Sequence, residues 1–249
     1  MIKQDLRIIF LGTPDFATAS LRALVEGGYN VVAAVTMSDK PAGRGHQLQF
    51  SDVKKYALSV GIPVLQPEKL KDESFIEQLR SYKADLQIVV AFRMLPEIVW
   101  SMPRLGTFNL HGSLLPQYRG AAPINWAVIN GEKSTGVTTF MLKHEIDTGN
   151  ILLQESTPIE ENENVGSVYD RLMQIGQTLV TRTVDLIIES ENNATPIPTI
   201  PQTETDKLKP APKLFKDTCE IHFDQLTATE VKNFVRGLSP YPAAWCNIT

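Results

Sequence analysis

Leu6-Arg7-Ile8-Ile9-Phe10-Leu11-Gly12-Thr13-Pro14-Asp15, a helical pattern from Ala17 to Glu26 closed by Gly27-Gly28, and then Val31-Val32-Ala33-Ala34-Val35-Thr36 decide the fold. Two continuously apolar, β-branched runs separated by one amphipathic helix form a strand–helix–strand unit. Strands that are apolar at every position, not at alternate ones, are buried on both faces, which is the condition of a parallel sheet covered by helices. The pattern repeats outward. Ser51 and Asp52 cap a helix over 53–59, Ile62 to Leu65 is a short strand, and Asp72 to Tyr82 is helical. Leu86 to Ala91 is another buried strand, and Pro96 opens a helix at its first turn. Val137 to Leu142 and Ile151 to Pro158 are later strands of the same sheet, and Val165 to Glu189 is a long helix. The expected class is α/β with a mostly parallel sheet. The Gly12-Thr13-Pro14-Asp15 loop lacks the second and third glycines of a dinucleotide fingerprint. It is expected to shape a wall of the site where open α/β sheets bind ligands, outside the carboxyl ends of the strands.

One strand end carries chemistry. Gly106-Thr107-Phe108-Asn109-Leu110-His111 reads as a buried strand that stops at Gly112. Residues two apart in a strand share a face, so Asn109 and His111 project together. A neutral amide thus stands beside the one side chain that titrates near neutral pH. Thirty-six residues beyond His111, Asp147 sits in Ile146-Asp147-Thr148-Gly149, a turn between two strands. Taken singly, each is ordinary: a polar group at a core edge, or an Asp in a turn. Converging, they supply an oxyanion donor, a proton carrier and a carboxylate that sets its protonation, the requirements of acyl-group chemistry.

Composition sets bounds. The chain has 249 residues, 43% hydrophobic, enough for one large core and part of a second. No run of eighteen apolar residues and no signal-peptide pattern is present, so a membrane span is not expected. Cys219 and Cys246 are far apart and lack metal-ligand spacing; they read as free thiols in a reducing cytoplasm, with no metal site expected. The net charge of −4 does not by itself suggest nucleic acid. Locally, Lys40, Arg44, Lys54 and Lys55 outnumber Asp39 and Asp52, and Lys207, Lys209, Lys213 and Lys216 outnumber Glu204 and Asp206, giving two patches of +2 each.

From Ser190 to Lys216 the texture changes to Pro196, Pro198, Pro201, Pro210 and Pro212 among Asn, Thr and Lys, an extended linker. Beyond it, Glu220 to Phe223 is strand-like, and Thr227 to Leu238 is helical with a Thr227/Glu230 capping box. About thirty residues are too few for an independent domain.

Asn109-Leu110-His111-Gly112-Ser113-Leu114-Leu115-Pro116, then Tyr118-Arg119-Gly120-Ala121-Ala122-Pro123-Ile124-Asn125-Trp126, then Ile146-Asp147-Thr148-Gly149-Asn150 resemble the N10-formyltetrahydrofolate-dependent formyltransferases. The Gly120–Ile124 segment looks like the methionyl-tRNA formyltransferases in particular. Phe10 to Ala17, Ser38 to Gly45, and Pro240 to Trp245 resemble further stretches of the same family, so the likeness runs from about residue 6 to the chain's last residue. It implies a Rossmann-like formyltransferase fold over 1–190, a linker over 191–216, and over 217–249 the beginning of an OB-like, tRNA-binding C-terminal domain that stops soon after it starts, as in a truncated chain. It implies formyl transfer from 10-formyltetrahydrofolate to the free amine of initiator methionyl-tRNA, with Asn109, His111 and Asp147 as the catalytic set. Ser113, Leu114, Leu115 and Pro116 would bind the reduced folate. Phe92, Met94 and Leu95 would wall the pterin, although Phe92-Arg93 replaces the Tyr-Gly of many members. Lys40 and Arg44, in a glycine-bearing loop from Thr36 to Phe50, would meet the tRNA acceptor stem, and that loop is expected to be poorly ordered without tRNA. Tyr118 and Arg119 are taken as surface residues of a loop. A cytoplasmic monomer is expected. Two alternatives share these residues: a formyltransferase acting on a small amine such as a nucleotide-linked amino sugar, and a catalytically idle folate- or RNA-binding module.

Overall fold

The computed structural model describes residues 1–42, 47–203 and 207–247. Its frame is a seven-stranded sheet. In chain order the strands are β1 (Ile8–Gly12), β2 (Val31–Val35), the short β3 (Lys40–Ala42) and β4 (Gln47–Gln49), β5 (Val64–Leu65), β6 (Leu86–Val90), β7 (Thr107–His111), β8 (Ser134–Met141) and β9 (Ile151–Pro158). The helices are α1 (Asp15–Glu26), α2 (Asp52–Ser59), α3 (Glu73–Ser81), α4 (Glu97–Trp100), α5 (Pro123–Ile129), α6 (Val165–Asn193) and α7 (Ala228–Leu238). The large sheet has the order β5-β2-β1-β6-β7-β8-β9. The strands from β5 to β7 are parallel, and β8 and β9 are antiparallel additions. β3 and β4 pair as a separate two-stranded unit, so ladder structure flanks residues 43–46 where a bare loop was expected; those four residues lie outside the described set.

Alternation along the central strands sorts the core onto two faces. Ile8 and Phe10 of β1, with Phe108 and Leu110 of β7, pack against α1, α5 and α6. Ile9 and Leu11 of β1, with Val89 of β6, pack against Phe75, Ile76 and Leu79 of α3 and Val99 of α4. All five residues of β1 and of β6 are buried, as doubly covered parallel strands must be. The strand order reverses between the parallel neighbours β1 and β6: β1 leads outward through α1 to β2, and the chain returns through α3 to β6 on the other side of β1. The crevice outside their carboxyl ends is therefore the ligand-binding position of this topology.

The described residues of the proline-rich segment after α6 are mostly extended and are hydrogen-bonded along the sheet domain. Ile200 exchanges both backbone hydrogen bonds with Ile151 at 2.8 Å, and Ala211 pairs with Gly120. α7 carries the expected capping box and packs on α5, with Asn125 Nδ2 donating to the Gly237 carbonyl at 2.9 Å. Glu220 to Phe223 is not a strand. Among the described residues it makes a single bridge, Glu220 to Trp245, and turns immediately afterwards, leaving Phe223 exposed. Apolar alternation over four residues forms a ladder only where a partner strand lies alongside.

Candidate active site

β7 lies between parallel β6 and antiparallel β8, with Asn109 opposite Val89 and Phe140. Phe108 and Leu110 take the α6 side, so Asn109 and His111 emerge together on the other face. Asn109 Oδ1 is buried and has no hydrogen-bond partner in the protein. His111 is 6% exposed, and its ring packs edge-on to Phe140 at 6.4 Å. Its Nε2 lies 2.8 Å from the Tyr118 carbonyl. A carbonyl only accepts, so Nε2 carries a proton, and the other nitrogen, Nδ1, faces Asp147 Oδ2 at 3.8 Å. That separation is an ion-pairing distance, too long for a hydrogen bond.

Asp147 arrives by an unusual route. The connection after β8 begins beside the start of β7, where Leu142 N donates to the Thr107 carbonyl, and it carries Asp147 to the other end of that strand. Asp147 holds a left-handed φ of 55°, a region that Asp visits more readily than most side chains. Its Oδ2 accepts from Gly120 N at 2.9 Å. A Cβ at position 149 would collide with the Met141 carbonyl, so only glycine permits the chain to pass there.

The three candidates open into one cavity of about 680 Å³. It is walled by the loop after β1 (Pro14, Phe16), the segment Ala91–Leu95 after β6, Trp100 of α4, the end of β7, and residues 120–125 and 142–147. Phe92, Met94 and Leu95 line it; Met94 is 76% exposed and Leu95 is buried. Arg93 lines it too. Its guanidinium donates to the Glu68 carbonyl at 2.8 Å and to the Pro67 carbonyl, and it sits beside the Phe92 ring, with Nε buried and unpartnered. The Phe92-Arg93 pair thus ties the β6–α4 connection to the one before α3.

Ser113, Leu114, Leu115 and Pro116 are not among the lining residues. Ser113 is fully buried and donates to the Gln117 carbonyl at 2.6 Å, while Leu115 packs with Phe140 and Ile151. This turn follows Gly112 and passes behind β8, its backbone held by Thr138, so it shapes the site from behind. Tyr118, expected at the surface, is 4% exposed. Its hydroxyl donates to Glu132 at 2.5 Å, and burial followed by that hydrogen bond pushes the phenol well above its usual range, so it is a neutral donor. Sequence reading passed over Tyr118 because its functional atom is a backbone oxygen.

Of the residues expected to meet tRNA, Lys40 is exposed on β3 and Arg44 lies outside the described residues. Lys54, counted in the same basic patch, is internally engaged: it reaches Asp39 at 2.5 Å and Gln66 at 2.8 Å and covers the Phe50 ring at 4.0 Å. Its ammonium, with the Gln66 amide, holds the Asp39 carboxyl below the usual carboxylate range.

The formyl transferase family model matches residues 6–184, and the formyl transferase C-terminal domain model matches residues 213–249. The chain belongs to the formyl transferase family. Its similarity to individual members is high. It is 64% identical to the methionyl-tRNA formyltransferase of Parabacteroides distasonis over 253 residues, covering 100% of this chain and 76% of that protein. It is 55% identical to the methionyl-tRNA formyltransferase of Porphyromonas gingivalis over 248 residues, with the same coverage. Among solved structures, a sugar N-formyltransferase from a Shewanella species superposes with a TM-score of 0.72 at 18% identity, covering 97% of this chain and 92% of that one. HypX from Aquifex aeolicus, solved with tetrahydrofolic acid, superposes with a TM-score of 0.67 at 19% identity, covering 98% of this chain and 36% of that one. At such identities the structures establish a shared formyl transferase fold, while the curated relatives resemble this chain over its whole length.

Proposed function

We propose that this chain transfers the formyl group of 10-formyltetrahydrofolate to the free α-amine of initiator methionyl-tRNA. The observation that carries this is the opening of Asn109, His111 and Asp147 into one cavity, in a chain 55–64% identical to several methionyl-tRNA formyltransferases. The cavity suits a reduced folate. Phe92, Leu95, Trp100 and Leu142 offer apolar and aromatic wall, and the unpartnered Asn109 amide offers a polar contact at its base.

In the reaction, the α-amine attacks the formyl carbonyl beside Asn109 and His111. The C–N bond forms as the carbonyl electrons move to oxygen, and breaking the bond to N10 releases tetrahydrofolate. Asn109 and a protonated His111 stabilise the oxyanion. Asp147 stands at ion-pairing distance from the imidazolium and helps relay the amine's proton toward N10. Neither a Ser nor a Cys nucleophile is needed, since an amine attacks this activated amide directly. Lys40 and Arg44 take the acceptor-stem phosphates. We place the protein in the cytoplasm, where initiator tRNA is charged, and as a monomer.

The test is incubation with 10-formyltetrahydrofolate and, in separate arms, charged initiator tRNA, nucleotide-linked amino sugars, or no acceptor. Formylmethionyl-tRNA is expected. Transfer to an amino sugar alone would reassign the substrate, and folate binding without transfer in any arm would make the chain an idle binding module.

A further inference from the structure

Gln202, Lys209 and Ala211, on the segment between the two family-matched regions, touch both loops that complete the site. Gln202 Nε2 donates to the Asp147 and Gly149 carbonyls, each at 2.8 Å. Its Oε1 accepts from Arg119 Nε at 3.1 Å and Nη2 at 2.8 Å. Arginine only donates, so the amide orientation is chemically determined: oxygen toward Arg119, nitrogen toward the two carbonyls. The same segment brackets the loop that carries the partners of both His111 and Asp147. Lys209 O accepts from Tyr118 N at 2.7 Å, and Ala211 O accepts from Ala121 N at 2.7 Å. Tyr118 supplies the carbonyl that fixes His111, and Gly120 supplies the amide that fixes Asp147. The left-handed turn at Asp147 lacks a ladder of its own, and β9 begins only at Ile151. Gln202 closes it.

We infer that Gln202 is a positioning residue for formyl transfer: from the inter-domain segment it locks the Asp147 turn onto the Tyr118–Gly120 loop and so holds the carboxylate opposite His111. This rests on the proposed formyl transfer only for its kinetic readout.

The experiment compares Gln202→Ala and Gln202→Glu with the parent chain. Gln202→Glu keeps an acceptor for Arg119 but turns an oxygen toward two carbonyls. The first readout needs no activity: hydrogen exchange at the Gly120 amide, whose acceptor is Asp147 Oδ2. Exchange there is expected to quicken at least tenfold in both variants while core amides of β1 and β6 are unchanged. The second is kinetic: kcat for formyl transfer falls ten- to a hundredfold with KM for folate and tRNA within about twofold. In an Asp147→Asn background the same substitutions cost less than twofold further, because residues acting as one unit are not additive. Unchanged Gly120 exchange, or an equal kcat loss with and without Asp147, would overturn the role. If the parent chain transfers no formyl group at all, the activity proposal fails, and the exchange result alone decides Gln202.

Discussion

Asn109 and His111 share a strand and a face, yet removing them has different structural consequences. Asn109 Oδ1 has no protein partner, so Asn109→Ala breaks no hydrogen bond made by that oxygen. Loss of one oxyanion donor costs about 3 kcal/mol of transition-state stabilisation. Asn109→Ala is therefore expected to lower kcat a hundredfold or more with Tm unchanged or slightly raised. His111 holds the Tyr118 carbonyl at 2.8 Å, and His111→Ala leaves that buried carbonyl without its donor. Such an orphaned group costs about 1–3 kcal/mol. His111→Ala should lose turnover to a similar degree and Tm as well, a contrast that calorimetry and single-turnover kinetics on the two variants would check. Equal Tm in both would contradict the partner assignments.

At the scale of elements, α6 is joined to the sheet by an ion pair at its start. Glu163, just before the N-cap Asn164, pairs with Arg171, which also donates to the Thr157 hydroxyl at 2.9 Å and the Pro158 carbonyl at 2.6 Å of β9. The Arg171 hydrogen bond holds the Glu163 carboxyl below its usual range. A carboxylate depressed in the folded state adds stability above its unfolded pKa of about 4.3, and that stability is lost as pH falls through the lower folded value. Glu163→Gln should therefore lower Tm at pH 7, and the difference from the parent should shrink below about pH 4. A gap that persisted at about pH 3 would show a steric origin instead. The turn between β8 and β9 is constrained more severely. Gly149→Ala drives a methyl into the Met141 carbonyl, and a destabilisation of at least about 2 kcal/mol by urea unfolding is expected.

On the scale of the whole molecule, binding a polyanion at net charge −4 demands local cations, and among the described residues Lys54 is engaged internally while Lys40 is on the surface. Lys40→Ala and Arg44→Ala are expected to raise KM for tRNA several-fold, leave folate affinity unchanged and reduce the log–log salt slope by about one for each phosphate no longer neutralised. Lys54→Ala, which breaks the Asp39 and Gln66 hydrogen bonds, should lower Tm and leave the salt slope alone. A slope change in Lys54→Ala without thermal loss would reverse that division. The sheet was legible in the chain because burial on both faces leaves a local mark, the unbroken apolar runs at Ile8–Gly12 and Leu86–Val90, and because strand alternation alone puts Asn109 and His111 on one face. Tyr118, Gln202 and the withdrawal of Ser113 to Pro116 from the cavity wall left no such mark. Tyr118 acts through a backbone oxygen, Gln202 reaches Asp147 across 55 residues, and the Ser113 turn passes behind β8 only because Thr138 holds it there. The sequence alone determined the buried central strands and the shared face of Asn109 and His111, since both follow from near-neighbour periodicity. Which surfaces close over that strand end depends on hydrogen bonds between segments distant in the chain, and only tertiary packing selects those.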